Sequence, residues 1–356
     1  MKRVMKPKMR RLVVWVGFLA SAICLVLSCR SVPFLDFVAE LKRIEWLWVL
    51  PAAFLLYLSM AFRAFRWRWL LGEQSGQRRV MLFEAVMVGY AFNNILPSGR
   101  VGELARAFYV SEKGSVPISM VFGTIINDRV FDALTILLLV GLTGFWILPI
   151  DPQLQVGLGG FQLSGEILNP LFVNVAVGSL GMVGLVLLLM LIPRRDGMFP
   201  LVLWRLPFLS DSIRDRVIGF FNGVVSGLHT IKNPRAFGAS AFHTILVWGL
   251  AAATAYGLAW SVPGLSMSWF QAIGLMAIAT VCAAIPSAPG FWGLYEAGMI
   301  FGFQVLDIHP ESAVALAYGV TMHLIYYVPT TFFGLIFAGR SAIGIKRATS
   351  LKIDES

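Results

Sequence analysis

Long apolar runs separated by short basic clusters set the pattern of this chain. Six runs, residues 12–28, 46–62, 129/130–150, 171–192, 236–260 and 312–338, come close to the roughly 20 residues that cross a bilayer as a helix. Two more, 81–96 and 269–285, are interrupted differently. The first ends in Pro97-Ser98-Gly99-Arg100 and the second in Pro286-Ser287-Ala288-Pro289-Gly290. Apolar residues resume after each break, over 101–110 and 291–306. Residues 217–231 read as an amphipathic helix lying on the inner membrane surface.

Basic residues orient the runs, because cytoplasmic flanks collect Lys and Arg. Six basic residues among the first eleven place the N-terminus inside. Val26-Leu27-Ser28-Cys29 loosely resembles a lipoprotein cleavage site, but Arg30 onward is external whether or not cleavage occurs. Arg63, Arg66 and Arg68, then Arg194 to Arg216, then Arg340, Lys346 and Arg347 mark inner ends. The 151–170 loop holds Asp151 and Glu166 and no Lys or Arg, so it faces out.

Runs 81–96 and 269–285 break this alternation. If 81–96 crossed fully, the arginine-rich 194–216 segment would be external. Its sixteen residues also reach only about 24 Å at ~1.5 Å each, against a hydrocarbon core of about 30 Å. Both runs are therefore expected to be arms of re-entrant hairpins, 81–110 entering from the cytoplasm and 269–306 from outside. Of the Lys and Arg, only Arg30, Lys42 and Arg43 then fall outside, with Arg129 at the mouth of a span. Eight simple spans remain the alternative.

The expected fold is an all-α polytopic membrane protein with six spans and two hairpins in an inverted repeat. It forms a single domain over 1–356, with halves 12–232 and 236–343. Composition agrees. The 356 residues are 58% apolar and 13% charged, with mean hydropathy +0.76, where soluble domains carry about 25% charge. Disorder, a collagen-like fibre and an ordinary soluble enzyme are excluded. Three cysteines are too few for a disulfide scaffold. The net charge of +10 sits in topogenic clusters, and no nucleic-acid module accompanies it.

Proline ends a helix and glycine permits tight turns, so each break starts a new half-helix with unpaired N–H groups and partial positive charge. Such an end suits a phosphate. Broken helices in corresponding positions of inverted halves point to a transporter site near the midplane. Three motifs recur around the breaks. One runs from Asn93-Asn94 through Pro97-Ser98-Gly99-Arg100 to Gly102-Glu103 and Arg106. The second is Asp128-Arg129-Val130 with Asp132. The third runs from Pro286-Ser287-Ala288-Pro289-Gly290 through Gly293 to Glu296. Together they resemble the flippase-like membrane family, also known as the lysylphosphatidylglycerol synthase transmembrane region, over residues 13–343. The resemblance implies an integral cytoplasmic (inner) membrane protein. In some members this region is fused to an aminoacyl-lipid synthetase and moves the product lipid between leaflets. This chain has His323 where the resemblance leads one to expect an arginine in the last span.

Ionisable groups inside a membrane are functional by default. Asp128 and Asp132 share a helix face, and Glu103 and Arg106 lie three apart. An Arg–carboxylate network at the cytoplasmic mouth is expected, with Arg100 and Arg129 free to fork onto a lipid phosphate; a salt-bridge cluster holding hairpin to helix is the competing reading. The candidate substrate-binding residues are Asn93, Asn94, Ser98, Arg100, Glu103, Arg106, Asp128, Arg129, Asp132, Ser287, Gly290, Glu296 and His323. Glu296 is expected to pair with His323, to relay a proton, or to stabilise its helix start. Residues 249–257 are expected to allow close helix contact, and His243 to be a packing residue.

No zinc helix, nucleophile elbow, phosphate loop or Cys-x-x-Cys occurs, so no catalytic residue, metal or cofactor is expected. The first functional reading is a translocator of an anionic-headgroup phospholipid or isoprenoid-linked precursor. The alternatives are a lipid-modifying transferase using Glu103, Asp128 or Glu296 as base, and a non-transporting partner of such an enzyme. Both termini are expected in the cytoplasm.

Overall fold

The structure, a computed structural model, describes residues 32–72, 78–96, 101–114, 116–147, 150–158, 161–191, 233–284 and 288–354. The expected first span and the 217–231 surface helix lie outside these residues. Ten α-helices and one β-hairpin are present among the described residues. They are α1 (Phe34–Arg43), α2 (Trp46–Leu71), α3 (Arg79–Ile95), α4 (Val101–Gly114), α5 (Ile118–Ile147), α6 (Gly165–Leu191), α7 (Pro234–Ala259), α8 (Trp269–Ala283), α9 (Leu294–Val305) and α10 (Ser312–Asp354).

Among the described residues, four helices are long and apolar enough to cross a membrane: α2, α5, α7 and, within α10, Ser312–Ser341. Only 28–39% of their most apolar windows is buried against protein. Phe54, Phe145, Phe242, Ile245 and Phe332 face outward, a surface that only a hydrocarbon solvent tolerates. The helix starts are written locally. Asn233 accepts from the N–H groups of Arg235 and Ala236 with Pro234 following it, and Ser268 forms a reciprocal capping box with Gln271.

Several boundaries differ from the sequence reading. Helix α2 runs nine residues past 62, because no breaker intervenes before Gly72. Helix α5 begins at Ile118, so Asp128 lies in its interior rather than at its mouth. The 151–170 loop contains antiparallel strands β1 (Gln155–Leu158) and β2 (Phe161–Ser164), with Gln155 opposite Ser164. Asn169 closes this excursion by bonding both the N–H and the C=O of Ile150. Within 249–257, Ala252 and Ala255 are buried as expected, while Gly249 and Gly257 face open space; Ser240 and Thr244 are buried earlier in α7.

The two interrupted runs fold as helical hairpins. In the first, α3 and α4 pair antiparallel: Gly102 N–H reaches Asn93 Oδ1 at 2.8 Å, and Tyr109 Oη donates to Glu84 at 2.6 Å. Gly102 is required here, since a Cβ would stand 2.0 Å from the Gly89 carbonyl. In the second, α8 and α9 pair antiparallel, with Gly298 against Ala279 and Cys282, and Gln271 Nε2 bonded to Leu306 O at 2.9 Å. A single 3-10 turn, Pro289–Phe291, sits at its break, with Gly290 and Gly293 at positive φ.

The hairpin bases lie at opposite ends of the bundle. The base of α8 joins an aromatic girdle: Trp48 meets Trp260, Tyr256 meets Trp260 and Trp269, and Trp146 stacks on Phe270. Such girdles mark a membrane–water boundary. The base of the first hairpin packs at the other end with Leu70, Leu71, Val121, Phe237 and Phe337. Both breaks lean on the middle of α10. Asn94 Nδ2 bonds Thr330 and Thr331, Tyr90 meets Tyr326 edge-on, and Gly290 abuts Tyr327.

Helix α10 contains Pro329, which cannot donate to the carbonyl four residues back. That carbonyl, Ile325 O, instead accepts the Tyr57 hydroxyl at 2.8 Å. A little further on, Gly334 lets α3 approach so closely that a Cβ would stand 2.3 Å from Met87 O. Gly334→Ala is expected to lower the thermal stability of the purified protein by about 1–3 kcal/mol through overpacking. Gly249→Ala, in open space, is expected to be neutral or stabilising by up to about 1 kcal/mol; equal losses from both would refute the packing account.

Candidate functional site

Polar residues gather in two places, one beside each hairpin. The first is built on α2 and α5. Arg63, Arg66 and Trp67 recur at helical spacing on α2, and Asp128 and Asp132 share a face of α5. Helix α4 adds Glu103 and Arg106, and α3 adds Asn93.

Arg66 and Asp128 form the centre, both with 0% side-chain exposure. Arg66 Nε donates to Asp128 Oδ1 at 2.8 Å, and its Nη1 lies 2.9 Å from Asp132 Oδ1 and donates to Thr244 Oγ1 at 3.1 Å. Arg63 pairs with Asp132 Oδ2. Arg106 Nη1 meets Asp128 Oδ2 at 2.9 Å, and its guanidinium carbon lies 3.5 Å from the Trp67 ring centre, a cation–π contact strengthened by burial. Trp67 is held in turn by Nε1–H···Oγ1 of Thr124 at 3.0 Å.

Arg129 is paired rather than free. Its Nη2 meets Glu103 Oε1 at 2.7 Å and its Nη1 lies 3.5 Å from Asp132 Oδ2. With 39% of its side chain exposed, it is the most open member. Four guanidiniums thus face three carboxylates, leaving one positive charge in excess. Among the described residues, Arg106 Nε and Nη2 and Arg129 Nε are buried without a hydrogen-bond partner. Both arginines line a pocket with Gly89, Tyr90, Asn93 and Glu103. Its cavity volume is about 10 Å³, room for about one water.

The second place is smaller. Glu296, in the first turn of α9, lies with Oε1 2.6 Å from His323 Nδ1 on α10, at 0% and 2% side-chain exposure. Its Oε2 accepts from Gly293 N–H at 2.7 Å. His323 stacks on Trp292 with ring centres 4.2 Å apart, and Tyr295 lies 4.9 Å away. The pairing anticipated from the sequence is therefore made.

One N–H at each half-helix start is taken by a side chain: Asn93 takes the Gly102 N–H and Glu296 takes the Gly293 N–H. Asn93, Glu103, Arg106, Asp128, Arg129 and Asp132 come together as expected. Asn94 instead ties α3 to α10, and Gly290 shapes the second turn. Ser98, Arg100 and Ser287 lie outside the described residues. His243 bonds its own helix, Nδ1 to Ala239 O at 2.7 Å. Sequence reasoning missed Arg63 and Arg66 as interior residues, although an unbroken helical pattern from 62 to 71 carries them onto the face of Trp67.

An all-α polytopic membrane bundle with a buried arginine–carboxylate network is the class these features define. The chain belongs to the lysylphosphatidylglycerol synthase TM region family of flippase-like membrane proteins, whose profile matches residues 14–334. Among similar proteins is the glycosyltransferase AglD of Haloferax volcanii, 26% identical over 86% of this chain. The match spans about half (51%) of that longer relative. A UPF0104 membrane protein of Pyrococcus horikoshii is 23% identical over 83% of this chain and 88% of its own. Another from Methanothermobacter thermautotrophicus is 26% identical over 77% and 80% respectively. Membership accords with a lipid-handling role.

Removing one member of a buried pair strands the other. Asp128→Asn is expected to cost about 3–5 kcal/mol of stability, whereas Arg129→Gln, at the open edge, costs about 1 kcal/mol or less. Chemical unfolding in detergent compares them; equal, small losses would show that the network does not hold the bundle together.

Proposed function

We propose that the protein moves an anionic-headgroup lipid, a phospholipid or an isoprenoid-linked precursor, between the leaflets of a cytoplasmic membrane. The observation that carries this reading is the cationic excess beside the first hairpin among the described residues, with Arg106 and Arg129, each bearing N–H groups that no described residue bonds, lining one pocket. Guanidinium forks match phosphate geometry. The lipid tail stays in the bilayer while the head exchanges for the water-sized content of the pocket. A phosphate does not fit the present volume, so the hairpin must shift from α5, and the Glu103–Arg129 pair is the contact that parts.

The hairpin geometry supports re-entrant insertion. Helices α3, α4, α8 and α9 have 17, 14, 15 and 12 residues, or about 26, 21, 22 and 18 Å, short of a core of about 30 Å. Six spans with two hairpins and both termini cytoplasmic is the topology proposed. In this reading the chain carries no catalytic residue of its own. The glycosyltransferase relative favours one second reading, in which the protein serves a separate lipid-modifying enzyme as membrane partner.

Purified protein in vesicles with labelled anionic lipid is expected to speed leaflet exchange, and Arg106→Gln to slow it about 10–100-fold, the worth of one or two charge-assisted bonds. Chemical conversion of the lipid without exchange would establish a transferase instead. After replacement of the native cysteines, Arg79→Cys and Lys113→Cys should react with an impermeant label from the same side, and Ser268→Cys and Asp307→Cys from the opposite one. Labelling of Arg79→Cys and Lys113→Cys from different sides would exclude the re-entrant arrangement.

A further inference from the structure

We infer that Glu296 and His323 form a proton-binding site, distinct from the headgroup site, that couples lipid movement to proton movement. This inference rests on the translocation reading.

The comparison of the two hairpins carries the argument. Each has a glycine N–H at the start of its returning half-helix, and each satisfies it with a side chain. The first hairpin uses a neutral amide, Asn93. The second uses a carboxylate, Glu296, and buries a histidine against it. An uncharged group performs the capping task adequately, so the cap does not account for the acid. It accounts still less for a titratable ring at 2% exposure, because burying ionisable groups in a membrane is costly unless they are used.

The chemistry of the pair suits one exchangeable proton. With the Nδ1–H tautomer assigned from its bond to Glu296, His323 donates to the carboxylate, and the proton-accepting lone pair of the ring is on Nε2. The pair then carries one negative charge, spread over two accepted bonds and the α9 N-terminus. Protonation at Nε2 gives an imidazolium–carboxylate pair with no net charge. The aromatic surround tolerates both states: the near-parallel Trp292 ring offers its face to the cation.

Among the described residues, the titratable side chains against the pair are phenols, Tyr295 of α9 and Tyr327 of α10. Tyr326 meets Tyr90 of α3 and feels the Arg63 and Arg129 charges. Arginine and aspartate of the headgroup site lie beyond Tyr90, which lines that pocket. One turn along α10 from His323, Tyr326 touches the first hairpin and Tyr327 the second. A change of one charge at His323 therefore falls beside the junction of both hairpins.

Two measurements test the site. In vesicles with the membrane potential clamped by an ionophore, a gradient of one pH unit should shift the steady-state leaflet ratio of a labelled anionic lipid about tenfold for one proton per lipid. Glu296→Gln, which keeps a capping oxygen, and His323→Gln should each abolish that shift. Lipid exchange by the unaltered protein with no response to the gradient would overturn the coupling, as would a full response in either variant. Should no exchange occur at all, the translocation reading fails on its own, and imidazole nitrogen NMR of the intact protein decides the site. A His323 ring whose protonation responds to pH, with a response that changes in Glu296→Gln, supports it. A ring that keeps one protonation state throughout refutes it.

Discussion

A guanidinium persists inside an apolar bundle only where carboxylates and hydrogen bonds replace its lost water, because an isolated buried charge costs several kcal/mol. Arg66 and Asp128 meet that condition at zero exposure, and the surrounding elements are arranged around them. Thr244 brings in α7, Asp132 fixes the rotation of α5, and Arg106 ties α4 to Asp128. The first hairpin is thus anchored by charge as well as by apolar packing. Pairing of this kind defines one geometry, since a slip of one residue along any helix would leave a charge unmatched.

Around that anchor the two hairpins share a construction and differ in content. Both are short antiparallel helix pairs closed by a glycine contact, and both present their breaks to the middle of α10. One gathers arginines and acids, and the other holds a single acid and an imidazole. Similar backbone devices therefore carry different electrostatics.

Much of this was legible in the sequence for physical reasons. Apolar run length announces spans, and Pro-Ser-Gly breaks announce half-helices, because proline and glycine act on the backbone directly. Asp128 and Asp132 were legible through their four-residue spacing, and Glu296 through its place after Gly293. Arg63 and Arg66 were not, since arginines ending an apolar run carry the same signature whether they face cytoplasmic water or a neighbouring helix. The start of α5 was hidden because residues 118–128 mix polar and apolar positions. That Asn93 and Glu296 each take a glycine N–H at a half-helix start depends on side-chain reach, which spacing alone does not encode.

The hydroxyl of Tyr57 on the Ile325 carbonyl has a consequence for how the protein can change over time. Pro329 creates the vacancy that the phenol fills, so the two side chains, far apart along the chain, form one chemical unit. A lineage that places an ordinary residue at 329 frees position 57 to drift. A lineage that loses the phenol first is left with a bare peptide oxygen deep in the bundle. The order in which the two substitutions arise is therefore constrained, and paired variation at these positions is the trace such a constraint leaves.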